Sequence, residues 1–206
     1  MLRAGSDRVD RPQFKERLKM RKLLSKEWFE FVRHSESIKG IVPFNPDSKV
    51  TRRHLEICEI VQNSTLLLDP ILINGMIVGR HWEYDGLLRS GTDSSQLDRI
   101  PDAVFIRKML LEWIDDAQGG LKDNVSGQGT ECISSIEQFT WTMHARLICI
   151  HPFRAGNDRT ARVILNHLRG LLELPVLIID SADSKAYLRR VNEYRENHFI
   201  PAMPKN

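Results

Sequence analysis

The chain has 206 residues, of which 41% are hydrophobic and 28% charged, with a formal net charge of +3. That is enough chain for one well-buried core, and the balance excludes disordered and fibrous classes. No apolar run approaches a membrane span and no apolar signal-peptide core leads the sequence, so no membrane partner is expected.

Taken in chain order, Arg3, Arg8, Arg11, Lys15, Arg17, Lys19, Arg21 and Lys22 concentrate positive charge at the start. A run of this kind is usually a solvated helix face. Without interleaved aromatics or a base-reading motif it does not point to nucleic acid as a partner. Gln13 to His34 reads as a helix, with Phe14, Leu18, Leu23, Leu24, Trp28 and Phe31 spaced roughly three and four apart. Pro43 and Pro46 break the chain, and helical spacing resumes from Thr51 to Val61 through Leu55, Ile57 and Cys58. Between Leu66 and Gly91 the pattern is irregular and interrupted by Gly75, Gly79 and Gly86. This stretch reads as loops with a short extended pair, Ile77-Val78 and Leu87-Leu88.

Ala103 to Ala117 reads as a helix, with Pro101 just ahead of it and Gly119-Gly120 predicted to stop it. Ser134 or Ser135 can cap the next helix, which carries Ile136, Phe139, Met143, Leu147 and Ile150. A third helix begins near Asp158 or Arg159, runs through Ala161, Ile164, Leu165, Leu168 and Leu172, and ends at Leu174-Pro175. Ser181 to Asn197 gives one more. About six or seven helices with little strand predict an all-α fold. Cys58, Cys132 and Cys149 lack CxxC spacing and are odd in number. No disulfide framework or zinc site follows, and a reducing, cytoplasmic location is expected, although a receptor-read export signal would leave no mark of this kind.

The segment from Ile150 through Arg162 lies between two apolar helices and so forms a helix-loop-helix turn. His151 ends the first helix, Pro152 forbids its continuation, and Phe153 can anchor the loop. Gly156 allows close backbone approach, and Asn157 or Asp158 can cap the second helix. The first turn of that helix presents unpaired N–H groups and a positive dipole end, which together favour an anion. Arg159 and Arg162, three apart, can reach the same anion. A histidine at the rim of such a site is placed to act as a general base, which suggests phosphoryl or nucleotidyl transfer. Taken singly, His151 could be a helix-terminal histidine and the arginines surface charge. Their order at one turn favours the site.

The stretch resembles the signature of the Fic (Fido) family, H-x-F-x-[D/E]-G-N-G-R-x-x-R. His151, Phe153, Gly156, Asn157, Arg159 and Arg162 keep six of its eight specified positions, whereas Ala155 and Asp158 depart. Gly86 to Ser90 is similar to the segment before the family's target-binding flap, Pro101 onward to the helix after it, and Phe139 to Ile150 to the helix that delivers the histidine. The resemblance implies an all-α Fic bundle with a short β-hairpin flap. It also implies an N-terminal helical segment over 1–34, the Fic domain over 35–200 and a tail over 201–206. In the family the histidine deprotonates a hydroxyl of a target protein, which attacks the α-phosphate of ATP, leaving AMP on the protein. Carried over, His151 would be the base, Gly156, Asn157 and Asp158 would lie in the phosphate-binding turn, and Arg159 and Arg162 would hold the outer phosphates. A flap including Ser90, Gly91, Thr92 and Asp93 would pin the target by strand addition.

Three departures qualify that picture. Ala155 stands where the family has the acid that ligates Mg²⁺, so the resemblance supplies no metal ligand there, and Mg²⁺ is in doubt. Asp158 replaces a glycine and puts a carboxylate near the expected β-phosphate; it would repel the phosphate or, alternatively, supply the missing metal ligand. Ser35 to Gly40 resembles the family's inhibitory segment, [S/T]-x-x-x-E-[G/N], but Lys39 occupies the place of the glutamate that pairs with the second motif arginine. A helix that simply ends at Gly40 is the competing reading, and Glu36 is the nearest acid that could substitute. Two functions therefore compete. One is AMP transfer from ATP to a target hydroxyl, weakened or using another phosphate-containing donor. The other is an inactive Fic domain serving as a nucleotide- or protein-binding regulatory module. Both a monomer and a homo-oligomer are compatible with the sequence.

Overall fold

The structure, a computed structural model, describes residues 26–38, 44–78, 88–90, 100–125 and 133–200. Helix α1 occupies 26–37. It is followed by α2 (Lys49–Asn63), α3 (Pro70–Val78), α4 (Ala103–Val125), α5 (Ile133–Ile150), α6 (Asn157–Leu171), a 3₁₀ turn (Ser181–Asp183) and α7 (Ser184–Tyr194), which passes into a π-helical turn (Arg195–Phe199). Among the described residues the β-structure is one isolated antiparallel bridge between Leu88 and Phe153. The chain is all-α, as its periodicity predicts. Gly91 and the rest of the expected flap up to Arg99 lie outside the described residues, as do Lys39, Gly40 and Cys132.

The core assembles around α6. Ala161, Val163, Ile164 and Leu168 of α6 join Ile73 and Ile77 of α3, Leu147, Cys149 and Ile150 of α5, and Ile57, Cys58 and Val61 of α2. Trp28, Phe31 and Val32 bring α1 into the same cluster, and Trp113 brings α4. Trp113 is fully buried, and its indole N–H donates to the Met143 carbonyl at 2.8 Å, tying α4 to α5. A buried indole without such a partner would cost about 1–3 kcal/mol.

The boundaries differ from the periodicity in ways that have physical causes. Residues 70–78, including the expected extended pair Ile77-Val78, form a helix. Its sequence, Pro-Ile-Leu-Ile-Asn-Gly-Met-Ile-Val, is apolar nearly all round, so no polar face marks the helical period. Its start is nonetheless well formed. Pro70 takes the first helical position, and Asp69 accepts from the Ile71 N–H through its side chain at 2.7 Å and from the Ile73 N–H through its carbonyl at 3.1 Å. Helix α2 begins at Lys49 rather than Thr51 because Ser48 caps it, its hydroxyl accepting from the Thr51 N–H at 3.0 Å. Ser134 and Ser135 are not caps but lie inside the first turn of α5, which starts at Ile133. The last predicted helix divides at Ser184 and Tyr194 into 3₁₀, α and π turns. Helix α6 ends in a Schellman motif, with Glu173 left-handed at φ 58 and the Leu174 N–H returning to the Arg169 carbonyl at 2.8 Å.

Helix α4 also runs through Gly119 and Gly120 to Val125, where a stop was expected. A Cβ on Gly120 would collide with the Phe139 ring of α5, whereas a Cβ on Gly119 meets nothing within 4 Å. Gly120 is therefore a packing glycine. Gly119→Ala is expected to stabilise the protein by up to about 1 kcal/mol through helix propensity. Gly120→Ala is expected to destabilise it by about 1–2 kcal/mol because the ring must move. Urea denaturation of the two variants checks this, and equal effects at the two positions would refute it.

Candidate active site

The loop between α5 and α6 is shaped by its own side chains. The His151 N–H still closes onto the Leu147 carbonyl at 3.2 Å, but the residue is left-handed, with φ 48, and turns the chain out of α5. Phe153 is buried at 1% exposure and fixes the loop in the core. The Asn157 amide then spans the turn: its Oδ1 accepts from the Phe153 N–H at 2.9 Å, and its Nδ2 donates to the Phe153 carbonyl at 2.7 Å.

Neither Asn157 nor Asp158 caps α6. The cap is Gly156, left-handed at φ 77 and without a side-chain cap bond, because the Asn157 amide is committed to Phe153. Thr160 N–H closes the first backbone bond of the helix, to the Gly156 carbonyl at 2.9 Å. The close approach that needs a glycine at 156 is to α3, since an added Cβ would lie 2.8 Å from Val78 Cγ2 and 3.1 Å from Asn74 Nδ2. Asn74 is fully buried and donates to the Ala155 carbonyl at 2.9 Å and to Thr160 Oγ1 at 3.0 Å, clamping the loop onto α6. Sequence reading missed this residue. The available sign was a lone amide in an otherwise apolar helix.

Arg159 and Arg162 differ in environment. Arg162 is 3% exposed, and Ser35 at the end of α1 takes two of its nitrogens: Nε donates to the Ser35 hydroxyl at 2.7 Å and Nη2 to the Ser35 carbonyl at 2.8 Å. Its Nη1 is buried with no partner in hydrogen-bond geometry among the described residues, although the Tyr187 hydroxyl lies close enough to feel the guanidinium. Arg159 is partly exposed; burial lowers its pKa, the charge of Glu36 opposes this, and Arg162 adds to the lowering. Glu36 therefore faces the arginine turn from α1. Its Oε2 accepts from the Thr51 hydroxyl at 2.7 Å, and its Oε1 lies 3.5 Å from Nδ1 of the fully buried His54. Burial works to raise the Glu36 pKa, but His54, Thr51 and the charge of Arg159 outweigh it, and the net shift is downward.

Ser35 thus reaches Arg162, while Lys39 and Gly40 fall outside the described residues. Ser90 accepts from Arg154 Nη2 at 2.9 Å, and Gly91, Thr92 and Asp93 fall outside the described residues. Ala155 is exposed and presents a methyl group where a metal-binding acid would be required. No group of three or more His, Cys, Asp or Glu side chains able to hold a metal occurs among the described residues. The side chains described here do not fit Mg²⁺ held from position 155. Asp158 is partly exposed, and its charge acts on Arg159, His144 and Tyr187, which places its carboxylate near the arginine turn.

Beneath this turn, His144 holds α5, α6 and α7 together. Its Nδ1 lies 2.9 Å from the Ala161 carbonyl, which can only accept, so Nδ1 carries the proton. Its Nε2, 3.2 Å from the Tyr187 hydroxyl, then accepts from that O–H. Burial pushes the His144 pKa from 6.5 down to about 4; the Ala161 bond opposes this and the charge of Arg162 assists it. Between these values the unfolded chain binds the extra proton, so stability is full above pH 6.5 and declines as pH falls toward 4. For this one group the loss is on the order of 3 kcal/mol across the window. His54 and His167, also lowered by burial, act in the same direction. Urea midpoints at pH 7 and pH 5 are expected to fall less for His144→Gln than for the unmodified protein. An equal fall would show that His144 does not carry the effect.

The structure is a helical bundle whose buried central helix opens on a turn carrying Arg159 and Arg162, with His151 before it. The Fic/DOC family model matches residues 69–168. A curated relative, protein adenylyltransferase Fic of Nematostella vectensis, is 24% identical over 213 aligned residues, covering 89% of this chain and 47% of the relative, so the chain spans about half the length of that protein. A Fic-domain-containing signalling protein from Bacteroides thetaiotaomicron superposes with a TM-score of 0.65 at 17% identity, over 84% of this chain and 74% of the other. Fic-1 from C. elegans gives a TM-score of 0.62 at 17% identity, over 88% of this chain and 59% of the other. Residues 69–168 are thus similar to the Fic/DOC family, and the chain shares the fold of Fic-domain proteins. No helix among the described residues is long and apolar enough to cross a membrane.

Proposed function

We propose that the protein transfers AMP from ATP to a hydroxyl side chain of a target protein, with His151 as the base. The observation that carries this reading is the pair of arginines on the opening turns of α6, one of them buried with an unpartnered Nη1. A buried guanidinium donor without an acceptor is costly unless an anion completes it, and a helix N-terminus favours the same anion. In the reaction His151 takes the proton of the target hydroxyl, the oxygen attacks the α-phosphorus of ATP, and the bond to the bridging oxygen breaks to release pyrophosphate. Arg159 and Arg162 bind the outer phosphates and stabilise the charge that gathers on the leaving group. No step is routed through Mg²⁺, because Ala155 offers it no ligand.

Two observations support a second reading, a nucleotide- or protein-binding module without transfer. Ala155 removes an acid, and Ser35 already occupies Nε and Nη2 of Arg162, leaving Nη1 to meet a phosphate. Intact-mass spectrometry after incubation with ATP, with and without a candidate target extract, separates the readings. The expected result is one AMP unit added to protein by the unmodified chain and none by His151→Ala, while both bind ATP with affinities within about threefold, since the imidazole acts on the incoming hydroxyl. Binding without transfer would favour the module. Transfer undiminished in His151→Ala would remove His151 as the base.

A further inference from the structure

Arg89, which precedes the expected flap, is 7% exposed, yet its guanidinium is directed at main chain. Nε donates to the His151 carbonyl at 2.8 Å, and Nη2 donates to the Pro101 carbonyl, two residues before α4. Its own N–H donates to the Pro152 carbonyl at 2.9 Å, beside the Leu88–Phe153 bridge. Two consecutive carbonyls, of His151 and Pro152, are therefore held by one residue through its side chain and its backbone. On the other side the His151 N–H is held by α5, at 3.2 Å from the Leu147 carbonyl. Peptide planes fixed before and after a residue fix the direction of its Cα–Cβ bond. For His151 this direction goes with a left-handed backbone, φ 48, which an L-residue adopts only when its surroundings impose it.

We propose that Arg89 is a positioning residue for His151: its guanidinium fastens the His151 carbonyl to the Pro101 carbonyl and so sets where the imidazole points. The task calls for arginine, because a planar fork reaches two carbonyls at once, whereas a lysine ammonium on a flexible stem does not hold the same geometry. Residues 89 and 101 also bracket the segment where the target is expected to dock. Arg89 therefore ties the base to both ends of that segment. The bonds named above run to the loop before α6 and to Pro101, away from the arginine turn.

The proposal rests on His151 being the base, and the experiment separates the two claims. Arg89→Lys is prepared in the full chain, with Arg89→Gln in parallel so that one unstable variant does not decide the question. In both, kcat for AMP transfer is expected to fall about 10- to 100-fold, the scale of a misplaced catalytic group. KM for ATP and ATP affinity are expected to stay within about twofold, because the arginine turn is untouched. The NMR resonance of the His151 imidazole, assigned by its loss in His151→Ala, is expected to shift in the Arg89 variants while those of His144 and His167 hold. Unchanged kcat, or kcat and ATP affinity falling together, would overturn the proposal. If the unmodified chain transfers nothing, the reading of function fails and the resonance alone decides: a shift of His151 alone upholds the positioning role, and an unmoved His151 refutes it.

Discussion

Helix α6 is buried from Thr160 to Arg169 and yet carries two arginines, an asparagine and a histidine within that stretch. Each buried polar group left unpaired costs about 1–3 kcal/mol, and more when charged, so a helix of this composition can sit in a core only if its neighbours supply partners. They come from different parts of the chain. Asn166 exchanges two bonds with the main chain of Leu177, His167 meets the backbone of Leu66 and Leu68, and Arg169 reaches the Pro175 carbonyl and Glu137. Arg162 takes Ser35 from α1. The polar residues of α6 thereby specify where four neighbouring segments lie. Among the described residues the exception on α6 is Nη1 of Arg162, near the start of the helix, which lacks a partner in hydrogen-bond geometry.

The same helix explains the loop before it. Its first turn can remain open to an anion only if the preceding residues do not cap it. Gly156 has no side chain to offer, and the Asn157 amide is held by Phe153. Asn74 pins the loop from α3 through Ala155 and Thr160, and Val78 crowds Gly156 closely enough to exclude a side chain there. The geometry of the turn is thus a property of packing between α3 and α6 as much as of the loop's own sequence. A loop with the same residues on a helix not backed by α3 would lack this support.

Much of this was legible in the sequence. The long amphipathic helices announced themselves by period, and the order of His151, Phe153, Gly156, Asn157, Arg159 and Arg162 marked the loop. What escaped has two causes. Helix α3 is apolar on nearly every side, so the pattern that identifies helices is absent from it, and Gly75 within it reads as a break. The glycines of α4 were read as stops because a lone sequence cannot show the Phe139 ring that Gly120 accommodates. The partners of the site residues were hidden for another reason. Arg89 and Asn74 lie 62 and 81 residues from the groups they hold, and no local spacing rule reaches that far, whereas Ser35 and Glu36 were brought to notice only by the resemblance of their segment to the family's inhibitory one.

The loss of the acid at 155 does not by itself argue that the site has become a mere structural turn. A left-handed L-residue costs about 1–2 kcal/mol, and glycine would take the same conformation at His151 without that cost. Left-handed Glu173 shows that this chain accepts such a residue where a Schellman motif compensates it with two backbone bonds. At His151 the compensation is heavier: a buried arginine, a backbone bond on either side and a bridge at Phe153. A histidine contributes to helix termination nothing that glycine lacks. These contacts all act on the main chain of His151, and a fixed backbone from which the imidazole projects is what the proposed role as base would require.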